Sequence, residues 1–207
     1  MDSASLFTYL VASILLTLAP GPDILFVITQ GISHGKRPAV LTALGLCSGI
    51  TVHTMAAALG VSAIFYSSAL AFQLLKYAGA AYLLFLAWKT IRSRGGLSRA
   101  VDVPRLRGAT LFRRGFIMNV LNPKVSLFFL AFLPQFVHAE AGSIPLQMML
   151  LGLIFMLQAV VIFSTVGICA GAVGRYLFSQ PGLVRGLDWM SAVVFAGLGI
   201  RLALVER

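Results

Sequence analysis

At 207 residues the chain is no longer than one ordinary domain, yet 59% of it is hydrophobic and only 11% charged, against about 45–50% and about 25% in soluble domains. That balance excludes a water-soluble globule and points to an all-α integral membrane protein, whose surplus apolar surface is covered by lipid. The net charge of +10 does not indicate nucleic acid, because the basic residues lie between apolar runs and not along a groove or stripe.

Six apolar stretches follow one another, each close to the roughly 20 residues that cross a bilayer core. The first, Leu6–Ile32, is preceded by Asp2 and by no Lys or Arg, so a secretory leader is not expected. Inside it, Pro20-Gly21-Pro22 removes two backbone donors and should unwind the helix. Asp23 follows at once, and of the six acidic residues it alone lies well inside an apolar run. Gln30, near the inner end of the same run, is a candidate lining residue.

The second stretch, Ala39–Ile64, carries Cys47 and the polar group Thr51, His53 and Thr54. The third is Leu70–Ile91. The fourth, Phe116–Val137, repeats the motif of a break beside a charge: Pro123 and Lys124, with the amides of Asn119 and Asn122 nearby. The fifth, Leu146–Ala172, holds Gln158, Ser164, Thr165 and Cys169; the sixth is Leu187–Val205. His53 and Gln158, with their hydroxyl neighbours, read first as interhelical hydrogen-bond partners, with Gln158 kept as a second candidate lining residue. Lys76 and Arg201 stand a turn or two inside their runs, where snorkelling to the interface accounts for both.

Loop charge sets the orientation. Lys36 and Arg37 follow the first run; Lys89, Arg92, Arg94, Arg99, Arg105, Arg107, Arg113 and Arg114 join the third to the fourth; Arg175 and Arg185 join the fifth to the sixth. The segments near Tyr66 and Glu140 hold no basic residue. Positive charge therefore alternates with each crossing, as six spans with both termini periplasmic require.

Three spans followed by three make the second half inverted relative to the first. Repeat one covers about residues 6–91, a basic cytoplasmic loop about 92–114 and repeat two about 115–205, all within a single transporter domain. Each repeat opens with a proline-broken helix, and inverted repeats of that kind build binding sites near the bilayer midplane. Asp23 lies nine residues before Ile32 and Lys124 eight after Phe116, which places both about 12–14 Å from the inner edge. A carboxylate at the bilayer centre costs roughly 2.5–3.5 kcal/mol on insertion scales, so a partner at the same depth is expected. Lys124 is that partner.

Other chemistries lack their parts. Gly31-Ile32-Ser33-His34-Gly35-Lys36-Arg37 is one residue short of a phosphate loop and has Arg where a magnesium-binding hydroxyl is needed. The three histidines are scattered, so no metal site and no cofactor is expected, and nothing suggests an enzyme. Cys47 and Cys169 each sit between glycines, in Gly45–Gly49 and Gly167–Gly171. They read as small buried side chains, a thiol-carrier pair being the alternative. The same glycines are close-packing faces, within the chain or across a homodimer.

The stretch Leu18-Ala19-Pro20-Gly21-Pro22-Asp23 resembles the lysine exporter family, in its homoserine/threonine-exporter (RhtB) branch. The resemblance extends through Ala78-Gly79-Ala80-Ala81-Tyr82-Leu83 and Trp88-Lys89, then Asn122-Pro123-Lys124 and Leu133-Pro134-Gln135-Phe136, and so covers essentially the whole chain. It implies an exporter of amino acids or close derivatives (homoserine, threonine or other neutral amino acids) in a bacterial inner membrane, driven by proton antiport. It also implies a central site made of Pro20, Gly21, Pro22 and Asp23 with Asn122, Pro123 and Lys124. Only the resemblance supplies the direction of transport. An inorganic-cation exporter is a competing reading, as is an assembly protein in which Asp23 and Lys124 merely hold helices together.

Overall fold

The computed structural model describes residues 3–61, 69–92, 105–174 and 181–204, and every regular element among them is helical. The chain is an all-helical membrane protein. Among the described residues eight α-helices follow one another: α1 Ser3–Leu18, α2 Pro22–His34, α3 Lys36–Ala56, α4 Ala69–Arg92, α5 Gly108–Val120, α6 Pro123–Leu127, α7 Ile144–Cys169 and α8 Pro181–Leu204. Wider π turns extend α3 (Ala57–Val61), α6 (Phe128–Phe132) and α7 (Ala170–Gly174), and a tight 3-10 turn, Leu133–Phe136, follows the second of these.

The first and fourth apolar runs are each interrupted at the expected prolines. α1 and α2 meet at 56°, and α5 meets the α6 segment, ending at Phe136, at 47°. By length and composition two helices among the described residues, Lys36–Gly60 and Ile144–Ala172, are long and apolar enough to cross a membrane, and counting each bent pair as one span brings the candidates to four. α4 and α8, each of 24 residues, pack against one another. The remaining helices form the other body of contacts, with α3 lying between α5 and α7, and α2 against α3 and α7.

Helix ends depart from the hydropathy boundaries. α5 begins at Gly108, so Arg113 and Arg114 ride on its first two turns and not in the preceding connection. α8 begins with Pro181 in its first turn, which takes Arg185 into the helix. Helices run on past the hydrocarbon edge because backbone hydrogen bonding does not stop where apolar side chains do. Of the basic residues expected between helices, Arg94, Arg99 and Arg175 lie outside the described residues, as does Tyr66.

The two inset cations differ in exposure. Arg201 is exposed, its guanidinium 5.4 Å from the Phe136 ring. Lys76 is instead buried, 4% exposed, with its ammonium 4.5 Å from the Tyr77 ring. α8 and the Phe128–Phe132 turn cover much of α4, so this lysine has less open surface than on an isolated span.

The core is aromatic where the two halves of the chain meet. Phe128, Phe129, Phe132, Phe136 and Phe155 pack ring against ring, with centroids 5.0–6.0 Å apart. Tyr9 of α1 joins them, 5.3 Å from Phe136, and donates its hydroxyl to the Leu151 carbonyl at 2.9 Å. That cluster fixes α1 and α7 around the second break.

Candidate functional site

Each break follows from local proline chemistry. α1 stops at Leu18; Gly21 is extended (φ −172°, ψ 178°) and Pro22 starts α2, the conformation favoured before proline. At the second break Asn122 is extended too (φ −79°, ψ 107°), and its side-chain oxygen accepts from the Lys124 N–H at 3.0 Å, capping α6.

A proline in place of a helical residue strands the carbonyl four positions earlier. For Pro20 that carbonyl is Leu16 O. It accepts the Lys124 ammonium at 3.0 Å, and Ala19 O accepts the same ammonium at 3.2 Å. Lys124 thus caps the negative end of α1 from the other half of the chain. For Pro123 the carbonyl is Asn119 O, which accepts instead from the Asn122 N–H at 2.9 Å and also lies 3.0 Å from His53 Nε2 on α3. A carbonyl only accepts, so that ring nitrogen carries a proton.

Asp23, in the first turn of α2, is 2% exposed. Its Oδ2 accepts from Asn119 Nδ2 at 3.0 Å. The two breaks are therefore cross-braced: Lys124 of the second serves α1, and Asn119 of the second serves α2. The direct pairing expected of Asp23 and Lys124 is not what the structure shows: the ammonium rests on backbone carbonyls and the carboxylate on an amide. The Lys124 ammonium passes close to Gly21, where a Cβ would lie 3.4 Å from Nζ, about van der Waals contact.

Gln158 of α7 reaches the same place through Thr17, donating to its hydroxyl at 2.9 Å, while Thr17 donates to Ser13 O at 2.8 Å. Gln30 lies two turns along α2 from Asp23, and its side-chain amide makes no hydrogen bond to the break residues. Sequence reasoning did not place Thr17 in the site; it read His53 first as an interhelical hydrogen-bond partner, and the ring does join α3 to Asn119 O of α5.

Several buried polar atoms here make no hydrogen bond within the protein: Asp23 Oδ1, Asn119 Oδ1, Asn122 Nδ2 and Gln158 Oε1. Each such atom costs about 1–3 kcal/mol unless something pairs with it. Together with the Lys124 ammonium they offer both acceptors and donors, which suits a small molecule bearing an ammonium and a carboxylate. A metal is served less well: among the described residues no group of three His, Cys, Asp or Glu side chains comes together. Cys47 is buried and Cys169 exposed, and both are free thiols.

The family model described as LysE type translocator matches residues 14–206. An uncharacterized membrane protein of Vibrio cholerae is 32% identical over the full length of both chains. A homoserine/homoserine lactone efflux protein of Salmonella typhimurium is 30% identical, covering 95% of each chain. A leucine efflux protein of an Enterobacter species is also 30% identical, over 95% of this chain and 94% of its own. No solved structure matches.

Proposed function

The chain belongs to the LysE type translocator family, and from that premise we propose that it is a secondary transporter exporting neutral amino acids or close derivatives in exchange for protons. Its relatives named as efflux proteins for homoserine, homoserine lactone and leucine support the substrate class. The proposal includes a single transporter domain of six spans in two inverted three-helix repeats, seated in a bacterial inner membrane with both termini periplasmic. α4 and α8 supply the two spans beyond those that length and composition identify, since 24 residues reach about 36 Å.

The observation that carries the reading is a buried carboxylate with one oxygen held and the other unpaired, beside an ammonium resting on carbonyls. Asp23 Oδ1 receives the ammonium of the amino acid. Lys124 turns from Leu16 O and Ala19 O toward its carboxylate, with Asn122 Nδ2 as a further donor. Protonation of Asp23 from the outer side cancels the charge that holds the ammonium and releases the substrate. Deprotonation toward the inner side restores it. One proton then enters for each amino acid that leaves.

An inorganic cation fits poorly, because a lone carboxylate next to a lysine is a weak cation cage. A thiol carrier would need both cysteines, and a double Cys47→Ser, Cys169→Ser variant that still exports amino acids removes it. The main test is efflux of labelled amino acids from vesicles under an imposed pH gradient. Asp23→Asn is expected to remain in the membrane and to lose gradient-driven efflux, and undiminished efflux from that variant sinks the mechanism.

A further inference from the structure

Gln30 is fully buried, 0% exposed, and neither its Nε2 nor its Oε1 has a partner in the protein. Its position is systematic. Seven residues make two helical turns, so Gln30 stands on the Asp23 face of α2, about 10 Å further along the axis. His34 follows four residues later on the same face, and its Nδ1, like Ser33 Oγ, is another buried atom without a partner. Unpaired polar groups thus run from Asp23 to the end of α2, where a leucine or methionine would fill the same space without the loss of hydration.

The surroundings of Gln30 are packed in an unusual way. A Cβ on Gly31 would strike the Gly167 carbonyl oxygen, and one on Gly167 would lie 2.7 Å from Ala39 Cβ and 2.8 Å from Val27 Cγ1. Val27, itself 0% exposed, lies one turn from Asp23, between it and Gln30. Glycine packing closes the seam between α2, α3 and α7: backbone meets backbone at Gly31 and Gly167, and the short side chains of Val27 and Ala39 pack over Gly167. Such a seam parts by a small helix shift and breaks no side-chain hydrogen bond.

We propose that this seam is the inner gate of the pathway and that Gln30 is a second substrate station on it, engaged before the substrate reaches Asp23. An amide donates and accepts, so it serves either end of a zwitterion. The inference rests on the amino-acid exporter reading, and the experiment separates the two.

Efflux from proteoliposomes and thermal unfolding in detergent are measured for the wild type and for Gln30→Met. The variant is expected to unfold no earlier than the wild type, because a buried unpaired amide is gone, while efflux falls about tenfold or more. Efflux equal to the wild type overturns the station. Should Gln30→Met not fold, Gln30→Cys in the Cys47→Ser, Cys169→Ser background is treated with a charged, membrane-impermeant thiol reagent. Modification from one face, slowed by saturating amino acid, is expected; no modification from either face during turnover overturns the gate. A wild type that exports none of the amino acids tested defeats the exporter reading instead, and the labelling still judges the seam.

Discussion

Pro20 strands the Leu16 carbonyl, which the Lys124 ammonium serves, whereas the Asn119 carbonyl before Pro123 accepts from both the Asn122 N–H and His53. Removing Lys124 leaves a buried acceptor bare, which costs about 1–3 kcal/mol, and removing His53 takes one of two donors from Asn119 O and leaves a cavity beside it. His53→Leu is therefore expected to lower the unfolding temperature in detergent and to weaken efflux, because Asn119 also positions Asp23. Unchanged stability would show that Asn119 O is satisfied without His53. Lys124→Met should do more, since it strips two carbonyls and the only ammonium at the breaks; efflux is expected to vanish while membrane insertion, read by fractionation, persists. Asp23 and Lys124 were legible as residues because charge is rare in apolar runs. Thr17 was not, nor was the partner of His53, because hydrogen-bond partners are set by which helix faces touch.

At the scale of elements, glycines decide how closely helices approach. A Cβ on Gly45 would run into the Phe112 carbonyl, and one on Gly115 would lie 2.7 Å from Thr42 O, so α3 and α5 meet backbone to backbone. Gly49 makes room for Asn119, whose Cβ would lie 2.9 Å from a Cβ at that position. Overpacking such contacts costs about 1–3 kcal/mol or more. Gly45→Ala is expected to lower the yield of folded protein and its unfolding temperature, whereas Gly182→Ala, with open space around it, should leave both unchanged or slightly higher. Equal behaviour of the two variants would mean that the α3–α5 approach is not tight. The Gly-x-Cys-x-Gly pattern showed small residues at helical spacing; the partner helix was not readable from it. Breaks were easier, since proline acts on its own backbone whatever packs around it.

For the whole molecule, the alternation of basic segments predicts that both termini face the outer side and that the connection between α4 and α5 faces inward. Reporter fusions active only outside should give signal at each terminus and none within residues 93–104. Signal from that connection would overturn the proposed six-span topology. The cross-bracing of the breaks, with Lys124 reaching α1 and Asn119 reaching α2, ties the first part of the chain to the second at one place.

Composition and pattern alone established a helical membrane protein, its proline breaks and the rare buried charges, because these follow from solvation and backbone chemistry that act locally. The tertiary structure decided what those charges touch. Lys124 meets carbonyls and not Asp23 directly, Lys76 is buried against its neighbours, and Gln30 sits unpaired behind a glycine seam. Such pairings depend on helix rotation and crossing, which in a membrane are governed by small-residue contacts between distant segments and not by the hydrophobicity that dominates the sequence.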